Sequence, residues 1–290
     1  MPYWLIHMMR FLIFLAVVLI PVCCESDPEW HSVGNLDVHT EWMELPAMHG
    51  VPLDYYTHSF VLKKKTYRNY SFAWSQNDLL SLWVAYPLCS SYIDKAIDRT
   101  EAWSYDPLLG EELSPAPFKG YAGHYARGHQ LPSADRMCCR AANEQTFYGS
   151  NIMPQLDDHN EGVWNRLESY VRSIAEKADT LYVVTGCVVD GSVERTTDSD
   201  GKFITVPVAF YKALLRYGDG GQWDCAAFYT DHRNYGKKNF DLKSLSMSVD
   251  ELEKKTGMDF FVNLPGKIGQ RESAALEARD PASSSVWRLK

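Results

Sequence analysis

Several stretches between residues 60 and 230 have the residue patterns of β-strands, and they limit the folds open to this chain. Residues 67–74 alternate with a period of two, which is typical of a half-buried strand. Residues 180–190 form a nearly continuous apolar run, which is typical of a strand buried on both faces. The other predicted strands are residues 60–65, 79–87, 202–217 and 225–230, and a further strand ends near Gly128 and His129.

A long amphipathic helix is predicted to begin near Asn160. Its apolar residues form a stripe about 140° wide at 100° per residue, and Glu168 lies at the edge of that stripe. Either Asp158 or Asn160 is predicted to cap the first turn. A shorter helix opens with a capping box at residues 248–251 and ends at Gly257. Together these elements predict an α+β fold with a central, antiparallel-rich β-sheet flanked by helices.

The amino terminus has the pattern of an export signal. Arg10 is followed by the apolar run FLIFLAVVLIPV and then by an abrupt polar segment. The run is shorter than the ~18 residues that indicate a membrane-spanning helix. We therefore predict that residues 1–24 are a signal peptide and that the protein is secreted or resides in a bacterial cell envelope (periplasm). The alternative is a lipid anchor at the Cys23-Cys24 pair, which the bulk of Val22 disfavours.

The rest of the chain is predicted to hold one main domain. Residues 25–59 are interpreted as an N-terminal extension, residues 60–265 as the domain, and residues 266–290 as a loosely ordered C-terminal tail. A hydrophobic content of 46% with 13% aromatic residues excludes a disordered protein. The cysteines after the signal could form up to two disulfides, but Cys138 and Cys139 are adjacent and are predicted to be buried free thiols.

Two motifs carry the side chains of one kind of chemistry. Residues 127–129 (Arg-Gly-His) place a cation, a flexible backbone position and an imidazole side by side. Further along the chain, the helix from Asn160 carries Glu168 and Arg172. A base, an oxygen ligand for a hard cation, an acid and arginines are what metal-assisted cleavage of a phosphodiester requires. The net charge of −8 argues against tight non-specific binding of nucleic acid, whereas an enzyme needs only a local cationic groove.

A family resemblance rests on these motifs and their order. The segments RGHQLPSADR, SNIMPQ, HNEGVWNRLE and TGMDFFVNLP resemble those of the DNA/RNA non-specific endonucleases of the ββα-metal (His-metal finger) superfamily. The resemblance covers roughly residues 67–265. It implies a central antiparallel sheet flanked by helices with a ββα-metal catalytic core. It also implies a Mg²⁺ cofactor, with Mn²⁺ as a substitute, and cleavage of DNA and RNA with little sequence preference.

The resemblance also implies roles for single residues. His129 resembles the general base, and an unperturbed imidazole pKa near 6.5 suits proton transfer from water. Asn160 resembles the single direct metal ligand, and Glu168 resembles the residue that holds metal-bound water. Arg127 and Arg172 resemble contacts to the phosphate or the transition state, where a planar guanidinium binds two oxygens.

Further positions match the family pattern less closely. Asn151 and Gln155 match positions near the site and are predicted to bind substrate. Arg99 is the nearest candidate for an arginine expected in the loop before the motif, because Glu101 stands about where some members have that arginine. Many members have aspartate just before the Arg-Gly-His tripeptide, whereas this chain has Ala126.

Alternative interpretations follow from the same residues. Asn160 alone is most simply a helix cap, and Glu168 with Arg172 could form only a surface ion pair. For the whole chain, the alternatives are a catalytically impaired nuclease fold that binds nucleic acid or protein, and a phosphodiesterase that acts on small substrates.

Overall fold

The computed structural model of the chain describes residues 39–48, 53–218, 220–236 and 240–289. The predicted signal peptide, residues 1–24, lies outside the described residues. Within those ranges, no helix combines the length and the apolar character that crossing a bilayer requires.

A seven-stranded antiparallel sheet forms the centre of the described structure. The strands of the described residues are β1 (Ala47–Met48), β2 (Asp54–Leu62), β3 (Lys65–Ser75), β4 (Leu80–Leu88), β5 (Tyr125–His129), β6 (Ile152–Leu156), β7 (Thr180–Val188), β8 (Arg195–Thr197), β9 (Phe203–Thr205), β10 (Ala209–Gly218), β11 (Gln222–Asp231), β12 (Ser246–Met247) and β13 (Met258–Asp259). The large sheet has the order β12-β11-β10-β7-β4-β3-β2, and the pairs β1–β13, β5–β6 and β8–β9 lie outside it. This arrangement confirms the predicted fold class.

The middle strands of the sheet explain the apolar runs of the sequence. Every residue of β4 is buried, and β10 is buried along its length except at Tyr217. A strand that is covered on both faces has apolar residues at successive positions rather than at alternate ones. Because β4, β7 and β10 are neighbours, their side chains form the core of the domain.

Short helices surround the sheet. They are α1 (Ser90–Ile93), α2 (Gly110–Leu113), α3 (Arg140–Gln145), α4 (Asp157–His159), α5 (Asn165–Ala175), α6 (Leu242–Leu245), α7 (Val249–Thr256), α8 (Leu264–Ile268) and α9 (Gln270–Glu277). α5 contacts β7, whereas α7 and α9 contact β11. The predicted capping box of α7 is confirmed, because Ser248 Oγ accepts from the backbone N–H of Glu251 at 3.2 Å and the Glu251 carboxylate accepts from the N–H of Ser248 at 2.9 Å.

The helical segment after β6 starts earlier than its sequence predicts. α4 begins at Asp157, a π-helical stretch spans Asn160–Trp164, and α5 continues to Ala175. Asn160 therefore lies inside a continuous helical segment and does not cap it. The N-cap position of α4 is Leu156, and no side chain caps this helix end. The predicted caps at Asp158 and Asn160 are wrong.

Other predicted boundaries in the amino-terminal half are also corrected. β2 begins at Asp54 and ends at Leu62, because Lys63 and Lys64 have φ of 51° and 67° and form the turn to β3. Part of the predicted extension is thus a strand of the central sheet, and Trp42 of the same extension is buried in the core. The apolar residues of segment 25–59 have only weak periodicity, so the sequence does not indicate which parts of the fold this segment contacts.

The predicted C-terminal tail is ordered. α9 follows residue 269, and Leu276 and Trp287 are both buried. The indole N–H of Trp287 donates to Asp224 Oδ1 at 3.2 Å, which ties this segment to β11. The segment has few apolar residues, so its own sequence does not indicate that they are buried against the sheet.

Candidate active site

Six of the predicted site residues line one cleft of about 540 Å³. The loop before β5 contributes one of them, β5 contributes two, and the helical segment 157–175 contributes three. The six residues are Arg99, Arg127, His129, Asn160, Glu168 and Arg172. The structure thus brings the predicted base, the predicted metal ligand and the predicted phosphate contacts together.

His129 ends β5 and is buried at the edge of the cleft, with 9% of its surface exposed. Burial lowers the pKa of its imidazole to about 3, and the charges of Arg99 and Arg127 lower it as well. The ring is therefore neutral at pH 7, and its Nε2 has no hydrogen-bond partner among the described residues. An anionic group bound in the cleft would raise this pKa towards the range that suits a base.

Aromatic side chains hold the His129 ring in place. The ring centroid lies 5.5 Å from that of Trp103 and 5.3 Å from that of Phe147. The indole N–H of Trp164 donates to the carbonyl oxygen of His129 at 3.3 Å, which joins β5 to the helical segment. These contacts fix the position of the predicted base within the folded chain.

Gly128 is required by a close approach within the β5–β6 pair. A Cβ atom at residue 128 would lie 2.2 Å from the side-chain oxygen of Gln155. Any larger residue would displace the side chain of Gln155. The glycine of the tripeptide therefore makes room for a side chain of the neighbouring strand.

Asn151 and Gln155 do not line the cleft, and the prediction that they bind substrate is not supported by their position. Both are fully buried. Asn151 Oδ1 accepts from the N–H of Leu131 at 2.8 Å, and its amide group donates to the carbonyl oxygens of Leu131 and Thr146. Asn151 therefore stabilises the loop that follows His129, and Gln155 packs under Gly128.

Asn160 presents an unused amide to the cleft. It opens the π-helical stretch, a departure from α-helical geometry that often marks functional sites. Its side chain makes no hydrogen bond to any described residue, although it is half-buried. An amide without a partner in the fold is available to a ligand.

Glu168 and Arg172 lie one helical turn apart but do not form the surface ion pair considered above. Arg172 Nη1 donates instead to Asp135 Oδ1 at 3.0 Å, and Asp135 is buried. Burial lowers the pKa of the Arg172 guanidinium, but Asp135, Glu168 and Tyr86 together raise it, so the net change in this pKa is upward. Burial raises the pKa of Glu168 to about 7, while the charge of Lys212 opposes that shift. Glu168 makes no hydrogen bond within the described part of the chain.

Two of the arginines are oriented by neighbours in the loop before β5. Arg127 Nη1 donates to the carbonyl oxygens of Pro117 and Phe118, and its guanidinium lies 3.8 Å from the ring centre of Trp103. Arg99 pairs with Glu101, which has an unusual φ of 50°. Contacts within the described residues thus hold two guanidinium groups at the cleft, and such groups can bind an anion through two hydrogen bonds.

The donor set of the cleft fits a hydrated hard cation. Asn160 offers one neutral oxygen and Glu168 offers a carboxyl group, and both residues line the cleft. No group of three or more His, Cys, Asp or Glu side chains that could hold a metal occurs in the described ranges. Mg²⁺ keeps several waters and needs few protein ligands, whereas a zinc site normally requires three or four.

Sequence reasoning missed several residues that shape the site. Asp135 and Lys212 supply charges beside Glu168, and Trp103 and Trp164 fix the position of His129. Asp135 lies within the motif RGHQLPSADR, which carries the resemblance, but the motif did not indicate what Asp135 does. Lys212 lies far along the chain in a predicted strand. The one feature of the sequence that could have drawn attention to it is a lysine within an apolar run.

Comparison with known proteins identifies relatives of the chain. A sequence model for a family described as DNA/RNA non-specific endonuclease matches residues 53–267. A nuclease from Nostoc sp. is 31% identical over 208 residues, which cover 69% of this chain and 73% of that protein. A nuclease from Serratia marcescens is 32% identical over 192 residues, covering 64% of this chain and 70% of that protein.

Relatives also include mitochondrial proteins and a solved structure. The mitochondrial nuclease EXOG of Danio rerio is 30% identical over 209 residues, covering 69% of this chain and 61% of that protein. The structure of an EndoG/EndoGI complex matches with a TM-score of 0.57 at 18% identity, covering 71% of this chain and 86% of that chain. At this identity the structural match supports the fold alone.

Proposed function

Because this chain belongs to the DNA/RNA non-specific endonuclease family, it is a nuclease, and we propose that it is an exported, Mg²⁺-dependent endonuclease. Its substrates are DNA and RNA, whose phosphodiester bonds it hydrolyses with little sequence preference. The observation that carries this proposal is the cleft in which the neutral imidazole of His129 and the unused amide of Asn160 lie beside positioned arginines.

The side chains of the cleft support hydrolysis by an activated water. His129 is neutral at neutral pH, so its Nε2 can take the proton of a water that attacks phosphorus. Arg127, Arg99 and Arg172 place positive charge around the non-bridging oxygens, where negative charge develops. In this proposal these groups contact the phosphodiester backbone, which carries no base identity, so we expect little sequence preference.

Asn160 and Glu168 are the residues that would hold the cation. A bound Mg²⁺ supplies Lewis-acid stabilisation of the phosphoryl oxygens. Asn160 would offer its amide oxygen, and Glu168 would act through water, because it lies eight residues further along the same helical segment, about 12 Å along the axis. His124 is exposed and does not line the cleft.

Export is supported by the sequence of the amino terminus, where Arg10 precedes the apolar run 11–22. A secreted or envelope nuclease would meet nucleic acid outside the cytoplasm. The net charge of −8 limits tight binding to product and favours release.

Cleavage of two substrates by purified protein tests the proposal. Supercoiled plasmid and RNA are incubated with the protein, with Mg²⁺ or with chelator. We expect nicked and linear plasmid to precede fragments, loss of RNA at a similar rate, and no cleavage with chelator. His129→Ala should be inactive, and His124→Ala, which replaces an exposed histidine five residues before it, is the matched control.

Other outcomes select the alternatives. Intact plasmid and RNA with a folded, Mg²⁺-supplied protein would indicate an impaired nuclease fold that only binds. Hydrolysis of a small phosphodiester without cleavage of either polymer would indicate a phosphodiesterase.

A further inference from the structure

Asn143 is a buried asparagine that joins two loops of the structure. It lies on α3 with no exposed surface. Its Oδ1 accepts from the backbone N–H of Thr100 at 3.0 Å and from the hydroxyl of Thr100 at 2.9 Å. Its Nδ2 donates to the carbonyl oxygen of Ser133 at 2.9 Å, to Ser133 Oγ at 3.0 Å and to the carbonyl oxygen of Arg136 at 3.1 Å. The acceptor of this amide thus holds one loop, and its donors hold the other.

Both loops contribute to the lining of the cleft. Arg99 directly precedes Thr100 in the chain, and residues 132–134 follow His129. Arg99 and residues 132–134 line the cleft, whereas Asn143 does not. Asn143 therefore contacts two segments that form the cleft without being part of the lining itself.

The loop that carries Arg99 has few other attachments. Residues 97–102 form no helix or strand. Within the described part of the chain, the bonds of Thr100 to Asn143 are the only hydrogen bonds that join residues 97–102 to a residue outside the stretch 95–104. Arg99 pairs with Glu101, but both partners belong to this loop, so their pair does not fix where the loop lies. The hydrogen bonds to α3 therefore hold the loop at one point, directly next to the arginine.

We propose that Asn143 is a positioning residue, which sets the place of the Arg99 guanidinium in the cleft through its two hydrogen bonds to Thr100. A second contact from the same side of the fold agrees with this role, because the guanidinium lies 4.7 Å from the ring centre of Phe147, which closely follows α3. The role of Arg99 as a phosphate contact rests on the proposed function, whereas the attachment of its loop to Asn143 does not.

The pattern of donors and acceptors explains why this residue is an asparagine. The N–H and hydroxyl of Thr100 need an acceptor, whereas the carbonyl oxygens of Ser133 and Arg136 need a donor, and an amide supplies both. Aspartate in place of Asn143 would supply the acceptor alone and set a negative charge against the two carbonyl oxygens. Alanine would supply neither group. Since buried polar groups that lose their partners are unfavourable, we expect the Arg99 loop to leave its place in Asn143→Ala.

Trypsin digestion of the purified full chain is the first test, and it needs no substrate. Trypsin cleaves after arginine, so it cuts the Arg99–Thr100 bond when this loop opens. We expect the fragment that begins at Thr100 to form about tenfold faster in Asn143→Ala than in the wild type. Asn263→Ala is the matched control, because the Asn263 amide also holds a loop, through bonds of 2.9 and 2.8 Å to two carbonyl oxygens of residues 39–42, but does not line the cleft. Formation of the fragment at the wild-type rate in Asn143→Ala would overturn the proposal.

Kinetics of plasmid cleavage are the second test. If Asn143 acts through Arg99, Asn143→Ala should raise KM, as Arg99→Ala does, and lower kcat/KM by about tenfold. Added to Arg99→Ala, it should lower kcat/KM by less than about twofold more, because the arginine that it positions is absent. A role in stability alone would lower kcat at constant KM, and by the same factor with and without Arg99. That result would overturn the proposal.

Thr100→Val keeps both tests decisive if Asn143→Ala does not fold. It removes the hydroxyl bond but leaves the donors of Asn143 on residues 133–136, and we expect the same changes at about threefold. Unchanged digestion and kinetics in Thr100→Val would then overturn the proposal. If the folded wild type cleaves no plasmid, the proposed function fails, whereas the digestion still supports or overturns the attachment of the Arg99 loop to Asn143.

Discussion

Replacing Asn160 by alanine distinguishes two interpretations of this residue, a metal ligand and a helix cap. If Asn160 were an N-cap, the change would cost ~1 kcal/mol, or about 2–4 °C in melting temperature for a domain of this size. The structure gives a different magnitude. Asn160 lies within the helical segment and its side chain makes no hydrogen bond in the described structure. Alanine has the higher helix propensity, so stability should stay constant or rise by up to ~0.7 kcal/mol.

Activity should respond in the opposite way. Removal of the amide oxygen takes away the predicted direct ligand of the cation, so we expect cleavage to fall by at least ~10²-fold and the Mg²⁺ requirement to rise. Asn160→Asp keeps the shape and adds a charge. It should tighten metal binding but slow cleavage, because the extra charge weakens the pull of the cation on the phosphoryl oxygens.

The assay combines thermal melts with Mg²⁺ titrations of plasmid cleavage and of metal binding without substrate. Asn165→Ala, in the same helical segment, is the stability control, because its side chain also makes no hydrogen bond to described residues. Full activity of Asn160→Asp with an unchanged Mg²⁺ requirement would refute the ligand assignment. A fall of about 2–4 °C in the melting temperature of Asn160→Ala, with normal activity, would support the helix-cap interpretation instead.

Three further outcomes are expected. His129→Ala should lower turnover by at least ~10²-fold with the fold retained, and near wild-type cleavage by a folded variant would remove His129 as the base. The buried His129 has a folded-state pKa of about 3, below its ordinary 6.5, so the free energy of unfolding falls as pH drops below 6.5, by ~2 kcal/mol at pH 5 for this group. Thermal melts at pH 5 and pH 7 should therefore show a smaller loss of stability in His129→Phe than in the wild type. An equal loss in both proteins would contradict the buried neutral state. Mass spectrometry of the exported protein should show a new amino terminus between Cys23 and Asp27, and an intact Met1 form in the cytosol would contradict export.

Local sequence patterns were sufficient for the class of fold and the order of its motifs. The apolar runs of β4 and β7 indicate strands buried on both faces, and the capping box of α7 appears as two side chains three residues apart. These features depend on neighbours along the chain, so they can be predicted without the rest of the molecule. The chemical identities of His129 and Asn160 likewise follow from the motifs.

Properties that depend on distant residues could not be predicted in this way. The sequence does not indicate that α4 already begins at Asp157. It also does not indicate the π-helical stretch at Asn160 or the hydrogen bond from Trp164 to His129, which depend on contacts between distant residues. The last residues include few apolar side chains, so their sequence did not indicate that Trp287 packs on β11. Asn151 and Gln155 share a motif with the site, yet pairing of β5 with β6 places both in the interior.

The sequence by itself determined which groups are available for chemistry, and only the tertiary structure decided their charge states and partners. Charge state depends on burial and on charges from any part of the chain, so the pKa of His129 falls to about 3 and that of Glu168 rises to about 7 through contacts with distant segments. Arg172 pairs with Asp135 rather than with Glu168, and the charge of Lys212, in a strand that no motif connects to the site, affects the pKa of Glu168. Residue types are a local property of the chain, whereas desolvation and electrostatic fields belong to the folded molecule.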